Sequence, residues 1–242
     1  DNFNPNNHSL DKIKITKLDK WILSKVNILA EDSLASYNNF QIHRFMDKVI
    51  KFIDDLSNWY VRRSRRRFWK SENDENKNAA YITLYETLVT FIKIIAPIAP
   101  FITETIWQIL SKQMPSDETN DIPLIITEFP TKNSALIDTK AENDISIIIE
   151  IIHTIRNLRS DLQIPHKSSL KANINIGTKN KLIDQEQNVI KSLSGLNVIN
   201  ISREKTNIEK TPNQITLVLS KGTITIQFEQ TVNLEKQYKK LG

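Results

Sequence analysis

Apolar residues recur three and four apart from Leu18 to Leu162, and only after Pro165 does the pattern change to alternation. Between Leu18 and about Tyr37, the positions Leu18, Ile22, Val26, Leu29, Ala30 and Leu34 form one stripe, which predicts an amphipathic helix. Asn38-Asn39 reads as a turn. A second long helix is expected from about Gln41 to Trp69, with Phe45, Val49, Phe52, Ile53 and Leu56 on its inner face. The polar run Ser71 to Asn76 breaks the pattern. A third helix, about Lys77 to Ala96, places Tyr81, Leu84, Tyr85, Leu88 and Phe91 inside, and Pro97 and Pro100 kink or restart the chain before a fourth piece from Phe101 to Gln113. Residues 1–15 carry no period and read as an irregular lead-in.

Met114 to Asp121 reads as a loop, and Leu124 to Phe129 as an extended segment. A fifth helix, about Ala141 to Leu162, carries Ile145, Ile148, Ile149, Ile152 and Ile155, and Pro165 ends it. Beyond it, Leu170, Ala172, Ile174 and Ile176 alternate as in a strand. Asn180 to Leu193 reads as a helix and Asn197 to Ile201 as a strand. Gln214 to Ser220 and Thr223 to Phe228 flank Lys221-Gly222, the pattern of a two-residue hairpin. Thr231 to Leu241 begins another helix. The fold class expected is α+β, mainly α. An antiparallel helix bundle would occupy residues 1–164, and a small α/β domain 165–242, leading into a terminal helix.

Composition narrows the chemistry. The 242 residues contain no Cys, which removes disulfides, zinc ribbons and thiol nucleophiles and suits a cytoplasmic protein. Four Gly, at 177, 195, 222 and 242, leave no Gly-rich phosphate loop. His8, His43, His153 and His166 lack metal-ligand spacing, so no metal site is expected. Asp54-Asp55 and Glu72, Asp74 and Glu75 read as solvated or helix-end charges rather than an acid/base pair. The N-terminus has no signal-peptide character, and no apolar run is long enough for a bilayer. The chain opens on Asp1 rather than Met, as a piece of a longer protein would.

Charge then picks out one place. The formal net charge is +5, and the stretch Asn58 to Lys70 alone holds six basic residues and no acid, leaving about −1 for everything else. Such a block repels itself unless a polyanion answers it. At about 100° per residue, Val61, Ser64 and Phe68 can face the bundle while Arg62, Arg63, Arg65, Arg66 and Arg67 all point outward. Guanidinium forks pair with phosphates, and Trp59 and Trp69 can stack on unpaired bases or support the helix. Lys70 belongs to the same block. Arg156 and Arg159, three apart on the fifth helix, would extend the anionic-ligand surface. A solvated helical end that merely aids solubility, or a basic helix docking an acidic protein, are the competing readings.

The run from Leu18 to Leu110 resembles the anticodon-binding helical domain of class I aminoacyl-tRNA synthetases, and within that class the isoleucyl-tRNA synthetase family. The matching residues are Leu18-Asp19-Lys20-Trp21-Ile22-Leu23-Ser24, Leu56 through Trp69, Ala79-Ala80-Tyr81 with Thr83-Leu84-Tyr85-Glu86, and Ala96-Pro97-Ile98-Ala99-Pro100-Phe101-Ile102-Thr103-Glu104. The Ala-Pro-x-x-Pro-Phe element is common to isoleucyl, valyl and leucyl families. The Asn-Trp-Tyr-Val-Arg-Arg block points to the isoleucyl one. Ile155 to Pro165, Gly222 to Ile226 and Val232 to Lys236 are instead similar to the valyl family. Where the isoleucyl family usually has an Arg-Gln-Pro-Leu-like element, this chain has Pro165-His166-Lys167-Ser168, so the valyl alternative stays open.

The resemblance implies a tRNA-binding region for the anticodon stem-loop, with isoleucine tRNA as partner, acting as a monomer with no membrane association. It implies that ATP and Mg serve a catalytic part of the parent enzyme. The His-Ile-Gly-His and Lys-Met-Ser-Lys-Ser type motifs of that part are absent from this sequence. No cofactor and no catalytic activity are expected of this chain alone.

Overall fold

The first helix begins where the side chain of Thr16 accepts the backbone N–H of Asp19 while the Asp19 carboxylate accepts the backbone N–H of Thr16, a reciprocal capping box. In the computed structural model, which describes residues 3–113, 122–165, 168–176, 181–202 and 214–228, this is α1, Lys17–Asn38. It buries Trp21, Ile22, Leu23, Val26, Leu29 and Ala30. Leu34, expected on the same stripe, is exposed. Asn39 ends the helix and Phe40 turns the chain with a φ of 54°.

The second long helix is present but not uniform. It runs as α2 (Ile42–Asp54), a π-helical segment (Asp55–Val61) and α3 (Arg62–Phe68). Next, α4 (Glu75–Ile95) starts where the Asp74 carboxylate accepts the Lys77 N–H, and α5 (Pro100–Leu110) starts on its proline, whose missing N–H costs nothing at a first helical position. In this first unit α1 packs against α2 and α4, and α4 against α3 and α5. The inner face of α4 is Ala79, Ala80, Ile82, Thr83, Thr87, Val89, Phe91, Ile92 and Ile94. Of the residues expected there only Phe91 is fully buried; Tyr81, Leu84, Tyr85 and Leu88 are half-buried on its flanks. Tyr81 and Tyr85 lie there because their hydroxyls reach the carbonyls of Phe68 and Leu110. Val89, Ile92, Ala96, Trp107 and Leu124 form a core cluster. Leu124–Ile126 is a short 3-10 turn, not the extended segment expected, because the Leu124 N–H is taken by Glu104 and the Ile122 carbonyl by the indole of Trp107.

The chain divides into two compact units, Asp1–Glu142 and Asn143–Gly242, and the division lies inside α6 (Thr139–Asp161). The helical part of the second unit buries Ile145, Ile148, Ile151, Ile152 and Ile155. Its sheet has the order β2-β1-β4-β3, with β1 (Leu170–Ile176) parallel to β2 (Val198–Ser202) and antiparallel to β4 (Gly222–Phe228), which pairs antiparallel with β3 (Gln214–Leu219). The alternation read in β1 is the observed burial, with Leu170, Ala172, Ile174 and Ile176 all inside. The helix expected over 180–193 is two pieces, α7 (Lys181–Gln185) and α8 (Gln187–Ser194), closed by Gly195 at a φ of 71°. That left-handed C-cap is a conformation glycine adopts without strain. The loop expected at 114–121 and the terminal helix expected from Thr231 lie outside the described residues. Among the described residues no helix is long and apolar enough to cross a membrane.

The hairpin is shifted by one residue from the sequence reading. Leu219 pairs with Gly222, so the turn is Ser220-Lys221 and Gly222 is the first residue of β4. Glu150 sets this position by accepting the backbone N–H of Ser220 at 2.7 Å and its hydroxyl at 2.6 Å. Gly222 is needed because β1 lies against it: a Cβ there would stand 2.0 Å from the Asn175 carbonyl oxygen. Gly222→Ala is therefore expected to destabilise the second unit by about 1–3 kcal/mol, the range for forced overpacking. Urea unfolding followed by circular dichroism checks this, and an unchanged midpoint would show that β1 and β4 part at that rung without cost.

Candidate nucleic-acid interface

The basic block is carried by a helix whose phase is set by the π-helical segment before it. Hydrogen bonding from i to i+5 widens each turn, so residues there advance by a smaller angle than in an α-helix. Leu56, Trp59 and Tyr60 are brought to the core as a result, at 8%, 3% and 0% exposure. Phe45, Val49 and Phe52 are inside as expected, but Ile53 faces out. Asp55, read from the sequence as a solvated charge, is buried on this wider turn. Burial pushes its carboxyl from 3.8 up to about 6, with the neighbouring Asp54 adding to the rise while Lys25 and Lys51 oppose it.

Within α3, Ser64 and Phe68 are buried, as the angular reading requires. Arg62, Arg65 and Arg66 are exposed and Arg63 is half-buried. All three exposed guanidinium groups lie within two turns of helix. Arg65 and Arg66 sit in the last turn of α3, where the helix dipole favours cations. The Arg65 guanidinium lies 3.9 Å from the ring centroid of Trp69, which is 71% exposed. A cation stacked on one face of an exposed indole leaves an aromatic plate beside two further arginines. Lys70 is exposed and paired with Asp74 four residues on, which raises its pKa through that hydrogen bond.

Several of the expected contact residues are placed differently. Trp59 is in the core, so it braces the helix and presents no face to a base. Arg67 does not point outward. It turns onto the fully buried carboxylate of Asp19, with Nη1 to Oδ1 at 2.7 Å and Nη2 to Oδ2 at 2.9 Å, and Nη2 also donates to the Asn76 carbonyl at 3.0 Å. The Tyr60 hydroxyl donates to the same Asp19 Oδ1 at 2.8 Å; burial, then the Asp19 charge, holds that phenol protonated, well above its usual range. Arg159 is 6% exposed and spends its guanidinium on backbone carbonyls, those of Ser194 at 3.1 Å, Pro165 at 2.8 Å, Ser168 at 3.1 Å and Gly195. Arg156 Nε donates to the Leu193 carbonyl at 2.8 Å. Together they hold the C-terminal end of α8, where free carbonyls and the dipole favour a cation.

Arg67 departs from its angular position because the helix does not stand alone. Asp19 lies 48 positions away in the chain and α1 brings it to the edge of the arginine arc. The spacing of Thr16 and Asp19 is itself a helix-start signal, but nothing local says the carboxylate has a second and a third partner. The end of the basic helix is clamped from α4 as well. Lys77 Nζ donates to the Lys70 carbonyl at 2.7 Å and the Tyr81 hydroxyl to that of Phe68 at 3.3 Å.

Residues 19–174 match the family model described as the anticodon-binding domain of tRNA ligase. The chain is similar to the isoleucine–tRNA ligase of Dehalococcoides mccartyi (strain CBDB1), 40% identical over 160 residues, covering 66% of this chain and 16% of that protein. The isoleucine–tRNA ligase of Treponema denticola is 34% identical over 196 residues, 79% of this chain and 17% of that protein. That of Clostridium acetobutylicum is 32% identical over 245 aligned residues, 99% of this chain and 23% of that protein. The chain thus spans less than a quarter of the length of these relatives. All three are isoleucine ligases, so the valyl and protein-docking alternatives are not favoured.

The Asp55 carboxyl gives the interface helix a pH signature. Its pKa is higher folded than unfolded, so the folded state holds the extra proton and stability falls as pH rises from about 4 to 6, then levels. Asp55→Asn should flatten that fall and, after discounting for solvent screening by its exposed edge and for the nearby lysines, add about 1–2 kcal/mol at neutral pH. Urea midpoints at pH values on either side of the window test this; a variant no more stable than the parent at neutral pH would refute it.

Proposed function

The chain belongs to the family of anticodon-binding domains of tRNA ligases, and on that premise we propose that it binds the anticodon stem-loop of isoleucine tRNA within an isoleucine–tRNA ligase. The observation that carries the reading is the outward face of α3, where Arg62, Arg65 and Arg66 are exposed beside the Arg65-stacked indole of Trp69. Three guanidinium groups within two turns of helix offer several forks to one phosphate backbone, and the free face of Trp69 suits an unpaired base of a loop. Lys70 joins them when it exchanges Asp74 for a phosphate, and half-buried Arg63 lies at their flank. Phosphate contacts fix position and carry no sequence, so discrimination falls to the stacked base and to whatever lies beyond this face.

In this reading the chain contributes affinity and alignment, not bond-making. ATP and Mg belong to catalytic machinery with motifs that this sequence does not contain, and the aligned tRNA presents its acceptor end to it. The protein acts in the cytoplasm, as a monomer.

Binding of the chain to isoleucine, valine and unrelated tRNA transcripts at two salt concentrations tests the proposal. Isoleucine tRNA should bind tightest. Replacing Arg62, Arg65 and Arg66 together by Gln should lower the slope of log affinity against log salt by about 2–3, close to one unit for each phosphate no longer neutralised. Affinity unchanged by the triple substitution, in a chain that still shows the parent's helical circular dichroism, would remove this face from the interface.

A further inference from the structure

Arg67 shares its sequence block with the exposed arginines, yet the structure commits it elsewhere. Its planar fork meets both oxygens of Asp19, at 2.7 and 2.9 Å, and that carboxylate is fully buried. Asp19 also accepts the Thr16 backbone N–H at 2.8 Å, the Thr16 hydroxyl at 2.7 Å and the Tyr60 hydroxyl at 2.8 Å. One carboxylate therefore joins the first turn of α1, the π-helical segment and the last turn of α3. A bidentate arginine pair fixes direction as well as distance, because both N–H bonds weaken if the helix rotates about its axis.

We propose that Asp19 is the positioning residue of the RNA-binding face: through Arg67 and Tyr60 it sets the rotation of α3 so that Arg62, Arg65 and Arg66 meet phosphates together. Arg67 itself does not touch RNA. The inference rests on the tRNA-binding reading above. It reverses the ordinary electrostatic expectation at one position. Asp19 is an acid close to a polyanion's docking face, and removing its charge should tighten binding if charge alone mattered. If Asp19 positions the face, removing its charge weakens binding. Lysine cannot replace Arg67 in this role, since a single ammonium holds no plane.

The experiment measures affinity of the full chain for isoleucine tRNA across a salt series, for the parent, Asp19→Asn, Arg67→Gln, Arg67→Lys and Arg66→Gln, each below its own measured unfolding temperature. Arg66→Gln should lower the salt slope by about one. Asp19→Asn and Arg67→Lys, which remove no cation, should nevertheless bind roughly tenfold more weakly and lower the slope by about one to two, the mark of one or two phosphate pairings put out of line, and Arg67→Gln should behave as Arg67→Lys does. Asp19→Asn binding as tightly as the parent or tighter, or Arg67→Lys keeping the parent's affinity and slope, would overturn the positioning role while leaving the tRNA reading intact. A parent chain without salt-dependent tRNA binding would overturn both.

A second measurement needs no variant to fold. Arginine modification by phenylglyoxal, mapped by mass spectrometry, should reach Arg62 and Arg66 but not Arg67 in the free parent. Bound tRNA should then protect Arg62 and Arg66. Ready modification of Arg67 that tRNA suppresses would place it in the RNA contact and refute the proposal.

Discussion

A carboxylate taken wholly out of water must be matched by donors or lose its charge. Asp19 meets this condition with Arg67, Tyr60 and both donors of Thr16, and the first unit is arranged around those contacts. α1 cannot start one residue later without losing its cap, and α3 cannot turn without breaking the fork. Apolar packing of Trp21, Ile22, Phe45 and Phe52 supplies the bulk of the burial, but such packing tolerates small rotations. The directional bonds at Asp19 do not. Packing makes the bundle compact, and the ion pair makes one orientation of the basic helix unique.

The arginines of this chain divide by what lies within reach of their five donors. Arg67 is committed to a buried acid, and Arg159 and Arg156 to carbonyls at a helix end, while exposed Arg65 lays its face on an indole, a contact that uses none of its N–H donors. Arg62 and Arg66 keep their forks toward solvent. A guanidinium whose donors are taken by backbone carbonyls has few left for phosphate, so arginine density alone overstates the size of an anionic-ligand surface.

Much of the architecture was legible in the sequence because period decides burial. The stripe of α1, the alternation of β1 and the proline start of α5 are local signals, and each element lies where its pattern put it. The site was half legible. The angular position of Ser64 and Phe68 gave the inner line of α3 and left Arg62, Arg65 and Arg66 outside. What was missed depends on contacts between distant positions: Arg67 with Asp19, Arg159 with the end of α8, Ser220 with Glu150. Asp55 and Trp59 were missed for a different reason. A sequence read at one constant angle per residue has no place for a π-helical turn.

That turn also gives the basic helix a reserve of chain length. Within Asp55–Val61 the backbone accommodates a wider spiral, whereas the flanking helices keep their ordinary pitch. A single residue lost from the segment can be absorbed by tightening to the α form, because six residues at the α-helical step turn the chain about as far as seven at the smaller π-helical one. The same loss from α2 or α3 would swing everything downstream by about 100°. The buried line of Ser64 and Phe68 would then be offered to water and a guanidinium to the core. A deletion that would pass unnoticed in a loop is thus equivalent in those flanking helices to exchanging several side chains at once, while the wider turn can take it up and leave the basic face where it is.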